Sequence, residues 1–206
     1  AVLRTAPAGR SAYAATASAC PVVVARLSFA LGLQGPCVSY DTACSSSLAA
    51  LHGGLRALQH GECKTALVAG VNMLFDSSVS FATASAGMTS AGGRCHTFDS
   101  RADGYARGEA CGAAALQPST GAVAPRVVCG SAVRQDGRSA SLTAPNGSAQ
   151  RTLLLRALGR ASAGAADVSS TEAHGTGTAL GDPTEMGSLA AVHGGRARGL
   201  AVGAAK

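Results

Sequence analysis

The segment from Val38 to Gly61 constrains the fold of this chain more than any other stretch. It begins with a short β-type run, Val38 to Tyr40, and turns at Cys44 into a region of helical periodicity. Apolar residues recur there at the spacing of an amphipathic helix, at Leu48, Leu51, Leu55 and Leu58. The pattern predicts a strand, a turn and a helix, with Cys44 where the strand turns into the helix.

A cysteine at a helix N-terminus has two interpretations. The backbone N–H groups of the first helical turn and the positive end of the helix dipole favour thiolate over thiol, and the thiolate is the nucleophilic form. The other interpretation is a buried structural cysteine, which is the commonest fate of a cysteine outside disulfides. Taken alone, the segment leaves a reactive and a structural Cys44 equally open.

A second apolar segment follows this helix. Thr65 to Val71 forms a continuous apolar run after a helix stop predicted at Gly61, and such a run is typical of a buried strand in a parallel sheet. A strand, a helix and a second parallel strand make a right-handed crossover, and α/β proteins build their sites where such strands end. The sequence therefore predicts Cys44 at the C-terminal edge of a sheet.

Helical and extended patterns alternate along the remainder of the chain, which indicates an α/β protein without an evident internal linker. The last predicted helix carries its own start signal, with Asp182 as cap, Pro183 in the first position and Glu185 completing a capping box. Helices are predicted over residues 22–33, 79–86 and 149–163 and after Asp182, and strands over residues 111–116, 126–134, 168–173 and 200–204.

The charge and cysteine patterns argue against several classes of protein. The formal net charge is +6, but the basic residues are scattered, whereas a nucleic-acid interface usually clusters them. The 7 cysteines show no CxxC or zinc-knuckle spacing, and their odd number favours reduced thiols in a reducing compartment. No apolar stretch approaches the roughly 20 residues that span a bilayer. We therefore predict no nucleic-acid, metal or membrane site.

His174 has the most suggestive position among the 5 histidines. The predicted strand 168–173 ends immediately before it, and the glycine-rich turn from Gly175 to Thr178 lets a ligand approach the backbone. A single histidine is usually structural, so the local pattern leaves both roles open. His52 and His60 lie on the leucine-rich helix and are interpreted as packing or surface residues.

A second candidate site lies in the loop of residues 93–109. Its carboxylates Asp99, Asp103 and Glu109 could form a paired acid and base, or they could anchor the loop through its arginines, and the second interpretation explains them equally well. Motifs of phosphate-binding loops, serine hydrolases and dinucleotide folds are absent.

Five motifs, taken together, resemble the β-ketoacyl synthase domain of modular type I polyketide synthases. They occur in the family's order and extend over about residues 27–206. The motifs are DTACSSSL around Cys44, GRCHTFDSRADGYARGE at 93–109, GSAVRQDGRSASLTAPNG at 130–147, EAHGTGTALGDPTE at 172–185 and VGAAK at 202–206. The resemblance favours the reactive interpretation of Cys44 and His174.

The resemblance implies a thiolase-like fold, layered α/β/α/β/α and built from two similar halves. Residues 1–206 would then be a partial domain, incomplete at both ends. About residues 1–118 would belong to the N-terminal half with the nucleophile, and about residues 119–206 would form the start of the C-terminal half. The complete domain would be a homodimer, joined through the sheet edge near the nucleophile.

The family resemblance also implies an enzyme, an acyltransferase of polyketide biosynthesis. Cys44 would accept the growing acyl chain as a thioester from an acyl carrier protein. His174 would help decarboxylate a malonyl-type extender and stabilise its enolate, whose carbon then attacks the Cys44 thioester in a Claisen condensation. No metal or tightly bound cofactor is implied, because the substrates are carried on the phosphopantetheine of the carrier protein.

Further site residues follow from the same resemblance. Thr176 and Thr178 match positions that hydrogen-bond the phosphopantetheine arm, and Lys206 matches a lysine that supports the active-site histidines. Asp182 and Glu185 lie at the helix start that interacts with this lysine in the family. The implied partners are the acyl carrier protein and neighbouring synthase domains, in the cytoplasm or an organelle.

Two related functions compete with condensation. A non-elongating domain, which only binds and transfers an acyl chain, commonly lacks the histidine that is present here as His174. A fatty-acid β-ketoacyl synthase is disfavoured by the TAPNG motif at residues 143–147 and by the form of DTACSSSL. The family's second active-site histidine follows the lysine, beyond Lys206, so we expect the 206-residue chain alone not to condense substrates. A purely structural module would leave Cys44 no more reactive than the other six thiols.

Overall fold

The computed structural model describes residues 16, 19–119, 121 and 126–205. The chain separates into a first unit, residues 1–76 and 109–124, and a second unit, residues 77–108 and 125–206. Cys44 belongs to the first unit and His174 to the second. The division into halves near residue 118, which the family resemblance implies, stays a prediction.

The first unit begins with helix α1, Cys20–Leu31. It has proline in its first turn, and Gly32 follows it in the left-handed conformation, with φ of 65°. The N–H of Gly32 donates to the carbonyl of Phe29, and the N–H of Leu33 donates to that of Ser28. A glycine at this position ends a helix because it adopts positive φ without steric cost. The helix predicted over residues 22–33 is confirmed, and it begins and ends two residues earlier than predicted.

The helix after the cysteine is also confirmed. A 3₁₀ turn, Ala43–Ser45, leads directly into α2, Ser46–Gln59. Gly61 follows with φ of 73°, as the predicted stop requires. Ala49, on α2, is the buried apolar residue of this unit among the residues described.

The predicted parallel crossover is wrong for the described part of the chain. Residues 38–40 are not assigned to a strand, and β1, Ala66–Asn72, pairs antiparallel with β2, Ala110–Leu116. The burial of β1 alternates along the strand, so it is only half-covered. Periodicity locates an extended segment but does not identify its partner, and β2 reaches β1 from a distant part of the sequence.

Helix α2 lies against β1 at two glycines. A Cβ atom added at Gly70 would lie 2.2 Å from Ser47 Oγ, and one added at Gly54 would lie 2.8 Å from Val68 Cγ2. These distances are too short for a side chain, so the helix and the strand approach closely because both positions lack one. The packing fixes the N-terminal end of α2, which carries the cysteine turn.

The second unit contains α3, Ser77–Ser85, and α4, Gly147–Arg160, and after them the histidine turn, residues 174–178. Its further elements are a 3₁₀ turn Ala165–Asp167, strand β3 Ser170–Glu172, helix α5 Gly181–His193 and strand β4 Ala201–Gly203. Strands β3 and β4 pair in parallel, with Thr171 opposite Val202. The predicted α3 and α4 and the predicted strands β2, β3 and β4 are confirmed, whereas residues 126–134 contain no assigned strand.

The two longest helices of the second unit pack against each other. Ser188 on α5 is buried, and its hydroxyl oxygen lies 3.2 Å from the carbonyl oxygen of Gly147 and 3.0 Å from Gln150 Oε1 on α4. Leu189, with 4% of its surface exposed, is buried beside it. Helix α5 is therefore anchored along its length, which makes its N-terminal turn a firm support for the loop before it.

Two glycines near the end of α4 give opposite predictions for stability. A Cβ atom at Gly130 would lie 2.6 Å from the backbone nitrogen of Ala161 and 2.9 Å from the carbonyl oxygen of Ala157. We expect Gly130→Ala to lower the free energy of unfolding by about 1–3 kcal/mol, because backbone atoms must move. Gly159 lies within α4 with open space around it, so Gly159→Ala is expected to raise stability by about 0.5–1 kcal/mol.

The measurement is the urea concentration at which α4 becomes susceptible to brief proteolysis in the full-length protein. The midpoint should fall for Gly130→Ala and rise for Gly159→Ala. Equal midpoints for the two variants would contradict the close approach at Gly130.

Candidate active site

Cys44 lies in the 3₁₀ turn immediately before α2, at the position predicted from the sequence, and it is exposed. Ala43 has φ of 54°, in the left-handed region that residues with a side chain rarely adopt. Such a conformation costs about 1–3 kcal/mol and persists only where neighbouring contacts hold it. The cysteine therefore occupies a strained turn at a helix N-terminus, an arrangement that presents a side chain to a ligand.

Hydroxyl groups hold this strained turn. Ser46 Oγ accepts from the N–H of Thr42 at 2.8 Å and donates to the carbonyl of Ala43 at 2.7 Å. Ser45 Oγ lies 2.9 Å from the carbonyl oxygen of Thr42 and 2.8 Å from Thr42 Oγ1. The serines after the cysteine thus close the turn around it. This role was not predicted from the sequence, although small hydroxyl side chains commonly bond to nearby backbone groups in this way.

His174 lies two residues after the end of β3 and is exposed. The N–H of Ala173 donates to the carbonyl of Gly203 at 2.7 Å, which extends the pairing of β3 and β4 up to the histidine. Glu185 on α5 accepts from two successive backbone groups, the N–H of His174 at 2.7 Å and the N–H of Gly175 at 2.8 Å. One carboxylate therefore fixes the backbone on which His174 stands.

Asp182 supports the same turn from inside the protein. Its side chain is buried, and it accepts from the N–H of Gly177 at 3.0 Å and from the N–H of Phe98 at 2.7 Å. Carboxylates are favoured in this position because the N-terminal end of a helix carries positive partial charge. Glu185 and Asp182 together accept hydrogen bonds from the N–H groups of three residues in the histidine turn.

The predicted cap of α5 is different in the structure. The helix begins at Gly181, and Thr178 Oγ1 accepts from the N–H of Gly181 at 3.1 Å. Asp182 is therefore inside the first turn, where its carboxylate points back to the preceding loops. The capping pattern located the helix start to within two residues but did not show which backbone groups the carboxylates bind.

Thr176 and Thr178 lie on the same side of the turn. Their Oγ1 atoms are 3.1 Å apart, and both side chains are partly buried. Two neighbouring hydroxyls can each donate to or accept from a polar ligand, which is the property that the family resemblance assigns to them. Lys206, the remaining predicted site residue, lies outside the described residues.

The loop of residues 93–109 is hydrogen-bonded to the histidine turn, a connection that was not predicted from the sequence. Thr97 Oγ1 donates to the carbonyl of Gly175 at 2.6 Å, and the N–H of Gly104 donates to the carbonyl of Gly177 at 2.9 Å. No local pattern predicts such contacts, because the partners are 78 residues apart in the first of these bonds. Glycine carbonyls of the turn are thus held by this loop.

Two of the acidic residues of this loop, Asp99 and Glu109, make structural contacts. Asp99 forms a two-point ion pair with Arg101, with Arg101 Nε at 2.9 Å from Oδ1 and Nη2 at 2.8 Å from Oδ2. The hydrogen bonds from the side chain and backbone of Arg101 hold the pKa of Asp99 well below its usual range. Glu109, in the first unit, accepts from the N–H of Leu74 at 2.6 Å. These contacts are those of anchoring residues.

The ion pair gives a prediction for pH dependence. The pKa of Asp99 is lowered in the folded protein. The ion pair should therefore be fully formed above the usual carboxyl pKa of about 4 and should be lost only as the pH falls below it, through the lowered pKa. Arg101→Gln is expected to return the pKa of Asp99 towards its ordinary range. Carbon-detected NMR titration of the Asp99 carboxyl measures this, with Arg94→Gln as the control in the same loop. A titration unchanged by Arg101→Gln would contradict the assignment of the cause.

The described part of the chain contains neither a disulfide among its seven cysteines nor a cluster of three potential metal ligands. Nor does any helix in the described residues have the length and apolarity needed to cross a membrane. The predicted site residues of the second unit, from His174 to Glu185, form one connected turn, while Cys44 stands on its own turn in the first unit.

Relatives and solved structures resemble the chain over most of its length. It is 46% identical over 199 residues to a phenolphthiocerol/phthiocerol polyketide synthase of Mycobacterium tuberculosis, covering 94% of this chain and 9% of that protein. It is 43% identical over 202 residues to the erythronolide synthase EryA2 of Saccharopolyspora erythraea, covering 94% and 6%. The chain thus spans less than a tenth of the length of either relative.

Two solved ketosynthases share its fold. The oxazolomycin ketosynthase domain of Streptomyces albus JA3453 superposes with a TM-score of 0.88 at 36% identity, covering 92% of this chain and 34% of that one. The ketosynthase from module 6 of the bacillaene synthase of Bacillus subtilis 168 gives a TM-score of 0.81 at 35% identity, covering 85% and 33%. The predicted thiolase-like α/β fold class is confirmed.

The family models agree with these similarities. The model described as "Beta-ketoacyl synthase, N-terminal domain" matches residues 2–122, and the model described as "Beta-ketoacyl synthase, C-terminal domain" matches residues 126–206. The first model alone covers more than half of the chain, and it includes the cysteine turn, while the second includes the histidine turn. The chain therefore belongs to the β-ketoacyl synthase family, in the branch of the modular type I polyketide synthases.

Proposed function

We propose that this chain provides the nucleophile and a histidine for decarboxylative Claisen condensation in polyketide biosynthesis. The observation that carries the proposal is the exposed Cys44 on a strained turn at the N-terminus of α2. A structural cysteine gains nothing from such a conformation, whereas a nucleophile needs both exposure and a fixed direction of attack. The similarity to polyketide synthases over 94% of the chain supports the same assignment.

The first step is transfer of an acyl chain to Cys44. Its thiolate attacks the thioester carbonyl of an acyl group carried on phosphopantetheine, and a carbon–sulfur bond forms as the bond to the carrier sulfur breaks. The carrier thiol leaves with the proton that Cys44 gave up. Cysteine suits this exchange because one thioester replaces another of similar energy, so the acyl group stays activated.

The second step forms the carbon–carbon bond. A malonyl-type extender loses carbon dioxide, and the electron pair of the broken bond becomes an enolate on the carrier thioester. The ring of His174 donates a hydrogen bond to the enolate oxygen as its charge develops. The enolate carbon attacks the acyl carbonyl on Cys44, the carbon–sulfur bond breaks, and the Cys44 thiolate is restored.

The remaining residues of the histidine turn bind and position the substrate. Thr176 and Thr178 hydrogen-bond the phosphopantetheine arm through hydroxyls that already face each other. Glu185 and Asp182 fix the backbone of the turn that carries His174. Lys206 supports His174 electrostatically. The substrates arrive on an acyl carrier protein, so the chain needs no tightly bound cofactor of its own.

The arrangement of the complete enzyme follows the family. Residues 1–118 contribute to the N-terminal half of the domain and residues 119–206 to the C-terminal half. The complete domain works as a homodimer in the cytoplasm, beside the other domains of its synthase.

A carrier-based assay of the full-length protein tests the proposal. Acyl and malonyl groups are supplied on carrier proteins, and the carrier and the enzyme are analysed by mass spectrometry. We expect an acyl group on Cys44 and a carrier product that is two carbons longer with a β-keto group. An acylated Cys44 without a longer product would instead indicate a non-elongating transfer domain, and no acylation at all would overturn the proposal.

A further inference from the structure

We propose that Thr97 is a positioning residue for His174, a role that rests on the proposed function. Thr97 lies in the loop of residues 93–109, far from the histidine turn in sequence. Its hydroxyl donates to the carbonyl of Gly175, the residue that follows His174, at 2.6 Å. This bond orients the peptide that continues from the histidine towards the predicted phosphopantetheine site.

The bond matters because Gly175 has little conformational restraint of its own. It has φ of 50°, in the left-handed region, and glycine exchanges readily between this region and others. Glu185 holds the N–H of Gly175, but its carbonyl lies on the next peptide unit and needs a separate partner. Thr97 supplies that partner, so both peptide units around Gly175 are held.

The methyl group of Thr97 also contacts this turn. A Cβ atom added at Gly175 would lie 2.5 Å from Thr97 Cγ2 and 2.6 Å from Ala204 Cβ. The threonine methyl therefore occupies the space that a side chain at Gly175 would need. Hydroxyl and methyl act together, one holding the carbonyl and the other limiting the movement of the glycine.

The rest of the loop is anchored independently of Thr97. The N–H of Phe98 donates to Asp182 at 2.7 Å, and the N–H of Gly104 donates to the carbonyl of Gly177 at 2.9 Å. Both of these bonds come from backbone groups, so a substitution at Thr97 leaves them in place. Removing the Thr97 hydroxyl should thus release one carbonyl without detaching the loop.

Thr97→Val and Thr97→Ser in the full-length protein separate the two contributions. Valine keeps the shape and loses the hydroxyl, whereas serine keeps the hydroxyl and loses the methyl group. Because small misplacements of a catalytic group are costly, we expect Thr97→Val to lower kcat for condensation about tenfold. KM for the malonyl carrier and the rate of Cys44 acylation should stay within about twofold of the wild type, and Thr97→Ser should retain most of the activity.

Hydrogen exchange of the peptide that contains residues 172–178, followed by mass spectrometry, provides a readout independent of activity. Exchange of the His174 and Gly175 amides should become faster in Thr97→Val and stay near the wild-type rate in Thr97→Ser. A wild-type protein that neither acylates nor condenses would refute the proposed function. The exchange pattern would still test whether the Thr97 hydroxyl restrains the backbone at Gly175.

Three results would overturn the role of Thr97. One is unchanged condensation and exchange in Thr97→Val. Another is equal impairment of the valine and serine variants, which would indicate packing alone. The third is an equal loss of acylation and condensation, which would indicate general damage to the fold.

Discussion

Replacement of Cys44 by alanine is expected to lower carrier-dependent chain elongation about 10³-fold or more, because the acyl chain then has no sulfur to bond to. The strained turn at Ala43 should persist, since the hydroxyls of Ser45 and Ser46 hold it from the residues that follow. Loss of the acyl-enzyme is measured directly as the absence of an acylated peptide containing residue 44.

Cys111→Ala is the matched control for this variant. Cys111 is an exposed cysteine on β2, a strand composed largely of alanine, so the substitution should leave elongation unchanged. Site-resolved alkylation at neutral pH compares the wild-type thiols in one experiment. We expect Cys44 to react faster than the other six, and equal rates would favour a structural module over an enzyme.

The elements that the sequence predicted well are those defined by local signals. The helices α1, α2 and α5 each have an apolar repeat, a stop glycine or a start pattern within a few residues of their ends. The position of His174 was predictable for the same reason, because a short strand ends two residues before it and a glycine-rich turn follows it. Local physics was sufficient wherever the partner groups are close in sequence.

The errors concern pairing over long distances. Periodicity identified β1 as a strand, but its antiparallel partner β2 lies beyond an excursion of the chain into the second unit. The strands predicted over residues 38–40 and 126–134 have the composition of strands, and neither is assigned in the structure. Strand propensity describes how well a side chain suits a sheet, and it does not provide a neighbour with which to pair.

The hydrogen bonds that hold the histidine turn also include partners that are distant in sequence. The carboxylates of Asp182 and Glu185 suggested a capped helix, yet they bind the N–H groups of the preceding turn. The carbonyls of Gly175 and Gly177 are held by the loop of residues 93–109. Donors and acceptors of one turn are thus satisfied from two different sides. The sequence pattern predicted the carboxylates but not the loop residues that bind the carbonyls.

Hydrogen bonds from two sides explain why the histidine turn can hold His174 in a fixed orientation although the turn contains two glycines. Glycine permits the tight backbone path, and the bonds from α5 and from the loop remove the freedom that glycine would otherwise leave. In the proposed mechanism, the conformational restraint is supplied by residues that do not touch substrate. Variants in those residues should therefore change the rate of the chemical step more than the affinity for the carrier.

His174→Ala is expected to separate the two half-reactions of the proposed mechanism. Acylation of Cys44 requires only the thiolate and the carrier thioester, so it should proceed at a rate within about threefold of the wild type. Condensation should fall about 10³-fold, because the enolate oxygen loses its hydrogen-bond donor. Rapid quenching and mass spectrometry of both the enzyme and the carrier measure the two rates in the same sample.

His60→Ala is the control for the loss of an imidazole. His60 is exposed at the end of α2, and its ring lies 3.5 Å from a guanidinium nitrogen of Arg56, at the opposite end of the helix from the cysteine turn. Both half-reactions should be unaffected in this variant. If His174→Ala slowed acylation as much as condensation, the histidine would have to act on Cys44 itself rather than on the extender. The two roles leave different species on the enzyme, since an acylated Cys44 accumulates only if the block falls after transfer.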